Sequence, residues 1–301
     1  MLQGKVMDGH IVAGTIRSEI REKVRALADS GIKPNLATVM VGDDPASQSY
    51  LKSKHSACID VGIEARNIKL PADTSQQELH RTICRLNDDE SVTGILLQLP
   101  LPKSLDDVLA ICSITPQKDV DGLHPNNLGL LLQNRADLVP CTPKGVIALL
   151  KYYAVKRSGR HAVIINRSKL VGRPLSQLLL NEDATVTVCH SKTEDLRGIS
   201  KQADILITGI GHRTEFTVQA DMIKPGAAVV DIGTSMVDGK QMGDANFDEA
   251  LHIAAYVSPV PGGVGPVTTA MLLYNTLLAA CLQKNVDLGF RPDELKATEP
   301  S

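Results

Sequence analysis

The chain of 301 residues has no tryptophan, and only five tyrosines and three phenylalanines. So few rings leave no base-stacking surface. It also lacks an excess of either charge: 32 lysines and arginines stand against 34 aspartates and glutamates, for a formal net charge of −2. Nucleic acid is therefore not an expected partner. The six cysteines, at 58, 84, 112, 141, 189 and 281, include no C-x-x-C pair. That spacing indicates neither a zinc site nor a disulfide framework and predicts buried free thiols, with no metal bound. The longest apolar run, Ala270 to Leu282, is about a dozen residues and is interrupted by Tyr274, Asn275 and Thr276, short of the ~20 that cross a bilayer. The opening MLQGKVMDGH has no apolar stretch followed by a small-residue cleavage site, so the expectation is a cytoplasmic protein without a membrane partner. No internal repeat or low-complexity segment is present.

What is present is an ordinary globular composition, 43% hydrophobic and 22% charged, at a length that suits two domains. Apolar residues at 16, 20, 24 and 27 form one stripe of a helix over about 11–28, which Gly31 stops. NLATVMVG (35–42) is a short apolar run ending in glycine, as expected of a strand buried on both faces. A helix from Asp44-Pro45 to about Val61, a strand at 65–70, a helix at 75–88 and a strand GILLQLP at 94–100 continue the alternation. It begins again at His161 with HAVII, a helix opened by Pro174, ATVTVCH, a polar helix, DILITG, a short helix and AAVVDIG. The pattern predicts two doubly wound α/β domains with a cleft between them. The expected division is 1–120, completed by a C-terminal helix within 266–301, and 121–265. The stretch from Lys118 to Gly145, rich in Asn, Asp, Gly and Pro, reads as a crossover between the domains. The polar tail 285–301 reads as loosely ordered at its end.

VIINRSKLVGRP (163–174) has the layout of a Rossmann-type dinucleotide turn: apolar strand, tight turn, then a helix N-terminus whose free N–H groups can face a pyrophosphate. Asn166 and Ser168 stand where glycines are usual, and asparagine is the best non-glycine residue for a left-handed position. At the end of the second strand, where NAD-selective proteins place an acid, the chain reads Cys189-His190-Ser191-Lys192. Arg167, Ser191 and Lys192 can instead receive a 2′-phosphate, which favours NADP over NAD. The glycine turns ITGIGH (207–212) and DIGTS (231–235) follow later strands and are candidates to face the cofactor.

In the first domain Tyr50 and Lys54 are four apart on one helix face. Gln98 ends an otherwise apolar strand, KDVDG (118–122) supplies two acids in what reads as a solvated turn, and SPVPGGVGP (258–266) is a stiff loop that a ligand can approach closely.

Taken together, SQSYLKSK (47–54), QLPLP (98–102), KDVDGLHPNNLG (118–129), PCTPKG (140–145), RSKLVGRP (167–174), ATVTVCHSKT (184–193) and PVPGGVGPVTTAMLL (259–273) resemble one family over nearly the whole chain. It is the bifunctional methylenetetrahydrofolate dehydrogenase and methenyltetrahydrofolate cyclohydrolase family, called FolD in bacteria. The resemblance implies NADP-dependent oxidation of 5,10-methylenetetrahydrofolate, then hydrolysis to 10-formyltetrahydrofolate, by a homodimer serving one-carbon metabolism and purine biosynthesis. It implies Lys54 as general acid/base, Tyr50 stacked on the aminobenzoyl ring, Gln98 holding the lysine, and Asp121 on the pterin. Pro261, Gly262 and Gly263 would shape the folate cleft. Asn166, Arg167, Ser168 and Ser191 would lie along NADP, with the Thr234 backbone near its nicotinamide. The family has glycine at position 166, Gly-Ile-Asn where Gly233-Thr234-Ser235 stands, and Gly-Asp-Val where Gly243-Asp244-Ala245 stands. These departures touch the cofactor side and leave open a monofunctional enzyme or a non-catalytic folate- or nucleotide-binding module.

Overall fold

The computed structural model describes residues 4–295, with the side chains of residues 45–47, 49, 50 and 293 outside that description. The chain begins β1 (Lys5–Val6), α1 (Gly9–Ala28), β2 (Asn35–Val41), α2 (Pro45–Val61), β3 (Glu64–Leu70), α3 (Gln76–Asp88) and β4 (Gly94–Leu97). It continues through α4 (Asp107–Cys112), α5 (Pro125–Leu132) and α6 (Cys141–Tyr152) to β5 (His161–Ile165), α7 (Gly172–Asn181), β6 (Thr185–Cys189), α8 (Leu196–Ser200), β7 (Ile205–Thr208) and β8 (Ala228–Asp231). The hairpin of β9 (Ser235–Val237) and β10 (Lys240–Met242) follows, then α9 (Phe247–Ile253), β11 (Tyr256–Val257) and α10 (Val264–Gln283).

These elements form two units. One comprises Thr15–Cys141 and Thr269–Phe290; the other joins the chain up to Gly14, Thr142–Thr268 and the chain from Arg291. In the first unit three parallel strands lie in the order β3-β2-β4. All seven residues of central β2 are buried, which accounts for its mostly apolar composition. Its face with Ala37, Val39 and Val41 packs on Leu79, Ile83 and Leu86 of α3 and on Ala110 and Ile111 of α4. Helix α3 starts where Ser75 Oγ accepts the Glu78 N–H at 3.2 Å, a cap that satisfies one of the free donors of the first turn.

In the second unit six parallel strands lie in the order β1-β11-β8-β7-β5-β6. β6 and β7 flank β5 on opposite sides, so the winding reverses at β5, and the crevice between the loops after β5 and β7 is where such sheets place ligands. The N-terminal strand joins this sheet through β11, with Lys5 opposite Tyr256. For that reason the first fourteen residues part from the 1–120 segment with which the sequence grouped them.

Several expectations need correction. The chain passes from one unit to the other within Lys118 to Gly145, at Cys141–Thr142, but the stretch is more than a crossover: it carries α5 and the start of α6, and Lys118, Asp119, Val120, Leu131, Leu138, Val139 and Cys141 are buried. The short helix expected before AAVVDIG is only a 3-10 turn at Ala220–Met222. Cys112 is exposed and Cys84 half-buried, while the other four thiols are buried. The dozen-residue apolar run belongs to a helix of 20 residues that is long and apolar enough to cross a membrane, with 72% of its most apolar window buried inside the protein. Its Tyr274 donates to the Phe290 carbonyl at 3.2 Å and packs edge-on to that ring, which ties down the start of the polar tail. The expected loose end of that tail, from residue 296, lies outside the described residues.

Lys118 shows why KDVDG is not a solvated turn. Only 7% exposed, its ammonium donates to the carbonyls of Leu86, Asn87 and Asp89 at 3.2, 2.7 and 2.9 Å. A cation among the free carbonyls at the C-terminal end of α3 is favoured by the helix dipole, while burial draws its pKa down. Lys118→Met, which leaves those carbonyls without a donor, is expected to cost about 1–3 kcal/mol. Urea unfolding measures it: an unchanged midpoint would mean the contacts contribute nothing.

Candidate active site

Loops at the carboxyl ends of parallel strands collect functional groups, and Gln98 stands one residue past β4. Its N–H donates to the Val39 carbonyl at 2.8 Å, extending the ladder with β2. Its side-chain NH₂ donates to the Leu99 carbonyl at 2.7 Å. The amide oxygen is thereby aimed outward, and it accepts from Lys54 Nζ at 3.1 Å. A carboxamide so oriented can receive an ammonium proton and cannot compete with it as a donor. The Leu99–Pro100 peptide that follows is cis.

Asp121 completes the cluster. Burial pushes its carboxyl pKa up, the Lys54 charge pulls it back, and neighbouring Asp119 pushes it further up. Asp119 is itself buried; one carboxylate oxygen accepts from the His124 N–H at 2.7 Å and from Asn127 Nδ2 at 2.9 Å. On the other side Gly122 has φ +69° and lies so close to Val139 and Pro140 that a Cβ would be 2.5 Å from the Val139 carbonyl carbon. Asp121 therefore projects from a segment fixed before and after it.

Cys58, one turn beyond Lys54 on α2, is not a second nucleophile: burial raises its thiol pKa to about 12, so it stays protonated. His55 is held below the ordinary histidine value by burial. Helix α2 includes Tyr50 one turn before Lys54; the Tyr50 side chain lies outside the described residues. Pro261, Gly262 and Gly263 belong to the six-stranded unit. Val260–Pro261 is cis, Gly262 has φ +102°, and the Gly262 carbonyl accepts from the Gly9 N–H at 2.8 Å. The loop thus seats on the first turn of α1.

The sequence offered no role for Asn275, which α10 sends into the same unit. Fully buried, its Nδ2 donates to the carbonyls of Val120 and Val139, both at 2.9 Å. It pins the residue before Asp121 to the strand of chain behind Gly122. The visible signal was an amide inside an apolar helix, where a buried polar group needs partners.

In the six-stranded unit, Ile165 and Cys189 are register partners at the ends of β5 and β6. The two following loops therefore start side by side. Arg167 and Ser168 on one, and Ser191 and Lys192 on the other, are exposed. Two cations and two hydroxyls at adjacent strand ends, with no acid among them, fit a phosphate carried on a ribose. His190 serves the turn itself, its Nδ1 accepting from the Lys192 N–H at 3.1 Å. Asn166 is not left-handed, contrary to the expectation from its residue type. Its Oδ1 accepts from the N–H groups of Ser168 and Gly172 at 2.8 and 3.1 Å, and its Nδ2 donates to the Gly209 carbonyl.

Beneath these loops lie two carboxylates that the sequence reading treated as ordinary. Asp244, fully buried, accepts from Thr208 Oγ1 at 2.8 Å and from the N–H groups of Ile210 and Gly211 at 2.6 and 2.9 Å. Asp231 accepts from the N–H groups of Gly233 and Ala245 at 2.9 and 2.7 Å. Each sits where a glycine leaves room: a Cβ on Gly233 would be 2.3 Å from the Asp244 carboxyl, and one on Gly243 would be 2.1 Å from Asp231 Oδ2. Gly211, with φ +72°, passes close to the backbone of exposed Thr234. Two acids thus hold the Gly209–Gly211 and Gly233–Ser235 turns together.

A six-stranded parallel nucleotide-type sheet with cationic strand ends, in one chain with a separate unit carrying a lysine–glutamine–aspartate cluster, defines a cofactor-using α/β enzyme. Two family models match in the same places: "Tetrahydrofolate dehydrogenase/cyclohydrolase, catalytic domain" over residues 7–121 and "Tetrahydrofolate dehydrogenase/cyclohydrolase, NAD(P)-binding domain" over 140–284. The chain belongs to the tetrahydrofolate dehydrogenase/cyclohydrolase family. It is 47% identical to the bifunctional protein FolD of Nitrosopumilus maritimus over 95% of this chain and 99% of that one. The FolD of Methanospirillum hungatei is 49% identical over 90% and 95%. Among solved structures, the bifunctional FolD of Campylobacter jejuni superposes with a TM-score of 0.90 at 45% identity, covering 93% of this chain and 99% of that one. The Trypanosoma brucei enzyme, complexed with NADP and an inhibitor, gives 0.90 at 39%, covering 95% and 100%.

Burial, opposed by the Ala245 N–H and reinforced by Asp244, raises the Asp231 pKa from 3.8 to about 7. The unfolded chain releases this proton near 3.8 and the folded chain near 7, so the folded state loses stability as pH rises between them. Melting temperature is expected to fall from pH 5 to pH 8, and Asp231→Asn to flatten that fall while lowering the value at pH 5. A variant with the wild-type slope would show that Asp231 is not the titrating group.

Proposed function

We propose that this chain oxidises 5,10-methylenetetrahydrofolate to the 5,10-methenyl form with NADP and then hydrolyses the methenyl form to 10-formyltetrahydrofolate. The observation that carries the reading is the Lys54–Gln98 hydrogen bond beside Asp121, in a chain that keeps both domains of its family. When bound, NADP supplies the acceptor for the hydride that leaves the methylene carbon. The protein's part in that step is positioning. Arg167, Ser168, Ser191 and Lys192 would hold the 2′-phosphate, the turn that carries Asn166 would hold the pyrophosphate, and the Thr234 backbone would hold the nicotinamide end.

Hydrolysis adds water to the methenyl carbon. Lys54 takes a proton from the attacking water and returns it to N5 as the carbon–N5 bond opens; the second water proton leaves to solvent. Gln98 keeps the lysine nitrogen in place through its oriented oxygen. Asp121, its carboxyl pushed toward the protonated form, hydrogen-bonds the pterin. Tyr50, one turn from Lys54, stacks on the aminobenzoyl ring, and Pro261, Gly262 and Gly263 form a folate-facing loop. In the same reading the enzyme is a cytoplasmic homodimer whose formyl product serves purine synthesis; the near-neutral charge balance supports small-molecule partners over nucleic acid.

Lys54→Met is expected to reduce hydrolysis of added methenyltetrahydrofolate by at least about 100-fold, the scale of a lost general base, with an unchanged circular dichroism spectrum. Hydrolysis at the wild-type rate would remove Lys54 from the mechanism. Arg167→Ala is expected to raise KM for NADP by about 10-fold or more, as for loss of a charge-assisted hydrogen bond, and to leave KM for NAD nearly unchanged. Equal effects on both cofactors would overturn the 2′-phosphate assignment.

A further inference from the structure

The Asn166 side chain directs three hydrogen bonds at the main chain around the crevice. Its oxygen takes the N–H of Ser168, inside the turn after β5, and the N–H of Gly172, the first residue of α7. Its nitrogen reaches across the point where the winding reverses to the Gly209 carbonyl, in the turn after β7. The fit is close: a Cβ on Gly172 would lie 2.6 Å from Asn166 Oδ1, and one on Gly209 would lie 3.4 Å from Asn166 Nδ2. Glycine at 172 is what leaves room for Asn166 against the start of α7; at 209 the contact is an ordinary van der Waals one.

Main-chain N–H groups at a strand-to-helix turn are the usual donors to a dinucleotide pyrophosphate. Here two of them already have an acceptor, supplied by the protein.

We propose that Asn166 is a residue that sets dinucleotide affinity by competition: its carboxamide oxygen occupies two N–H donors that the pyrophosphate would otherwise use, and transfers phosphate recognition to the side chains of the neighbouring loops. This inference rests on the NADP reading given above. It divides the cofactor between two determinants. The pyrophosphate, common to NAD and NADP, is under the control of Asn166. The 2′-phosphate, found only in NADP, is under the control of Arg167 and the Ser191-Lys192 loop. Asn166 therefore lowers affinity for both cofactors by one factor and leaves the preference between them untouched.

Equilibrium titration of purified protein with NADPH and with NADH, followed by ligand fluorescence, tests this without reference to turnover. Asn166→Gly and Asn166→Ala each release both donors. Both variants are expected to bind both cofactors more tightly by a similar factor, about 3- to 10-fold for one or two recovered neutral hydrogen bonds, with the NADPH/NADH ratio unchanged. Asn166→Asp keeps the acceptor, loses the donor to Gly209 and adds a negative charge beside the phosphates; it is expected to weaken both cofactors by more than 10-fold, less so at high salt. Unchanged or weaker binding by both the glycine and alanine variants, with folding intact by circular dichroism, would overturn the competition. So would a change confined to NADPH. Wild-type protein that binds neither NADPH nor NADH would instead overturn the cofactor reading on which the inference stands.

Discussion

A carboxylate taken out of water has to recover its solvation from the protein, and Asp231 and Asp244 recover it from main-chain N–H groups and one threonine hydroxyl. The organisation of the nucleotide unit follows from that constraint. Three of the four N–H groups belong to the turns after β7 and β8, and the fourth is that of Ala245 after β10, so the acids fix the backbone of loops that reach the surface. Loops tied by buried acids can present Thr234 and the Gly209–Gly211 turn without relying on their own packing. The arrangement requires glycine at 233 and 243, because each carboxyl occupies the volume of the other segment's missing Cβ. Burial disfavours the charged form of Asp231, whose pKa is raised to about 7.

The three-stranded unit solves a similar problem with different groups. Lys118 closes the end of α3, Asp119 gathers the His124 N–H and the Asn127 amide, and Asn275 joins the carbonyls of Val120 and Val139. Between these anchors Asp121 has little freedom, and Lys54 finds it together with Gln98. In both units the residues expected to touch ligand are few, while buried polar side chains that bind mostly backbone set their positions. Pre-formed polar scaffolds of this kind keep reacting groups aligned without reorganisation during the reaction.

Apolar patterns located α1, β2 and β5 within a few residues, and start signals at Asp44-Pro45 and Pro174 located α2 and α7. The lysine, the glutamine and the aspartate were legible as motifs, and their convergence follows from parallel strands ending on one side. What was not legible depended on partners distant in sequence. β1 and β11 are two residues long and become strands only by pairing with each other and with β8. KDVDG looked like a solvated turn because charge ordinarily means water; the carbonyls that receive Lys118 belong to a helix end some thirty residues earlier. Asn166 resembled a left-handed turn residue by type, yet its conformation is set by a carbonyl on another strand's loop. Asp231 and Asp244 stand in the sequence in two separate segments, DIGTS and Gly243-Asp244-Ala245, and their proximity appears only once the sheet is formed.

The pairing of Lys5 with Tyr256 bears on how the chain is made. A polypeptide leaves the ribosome from its N-terminus, so β1 has no strand neighbour until β11, about 250 residues later, has followed. The three-stranded unit likewise waits for residues from Thr269 onward. Each unit closes only once a distant segment has emerged: α10 completes one, and β11, which pairs with Lys5–Val6, completes the other. Such long-range closure slows folding relative to local pairing and leaves an apolar parallel sheet open for most of translation, the interval in which a chaperone has most to protect.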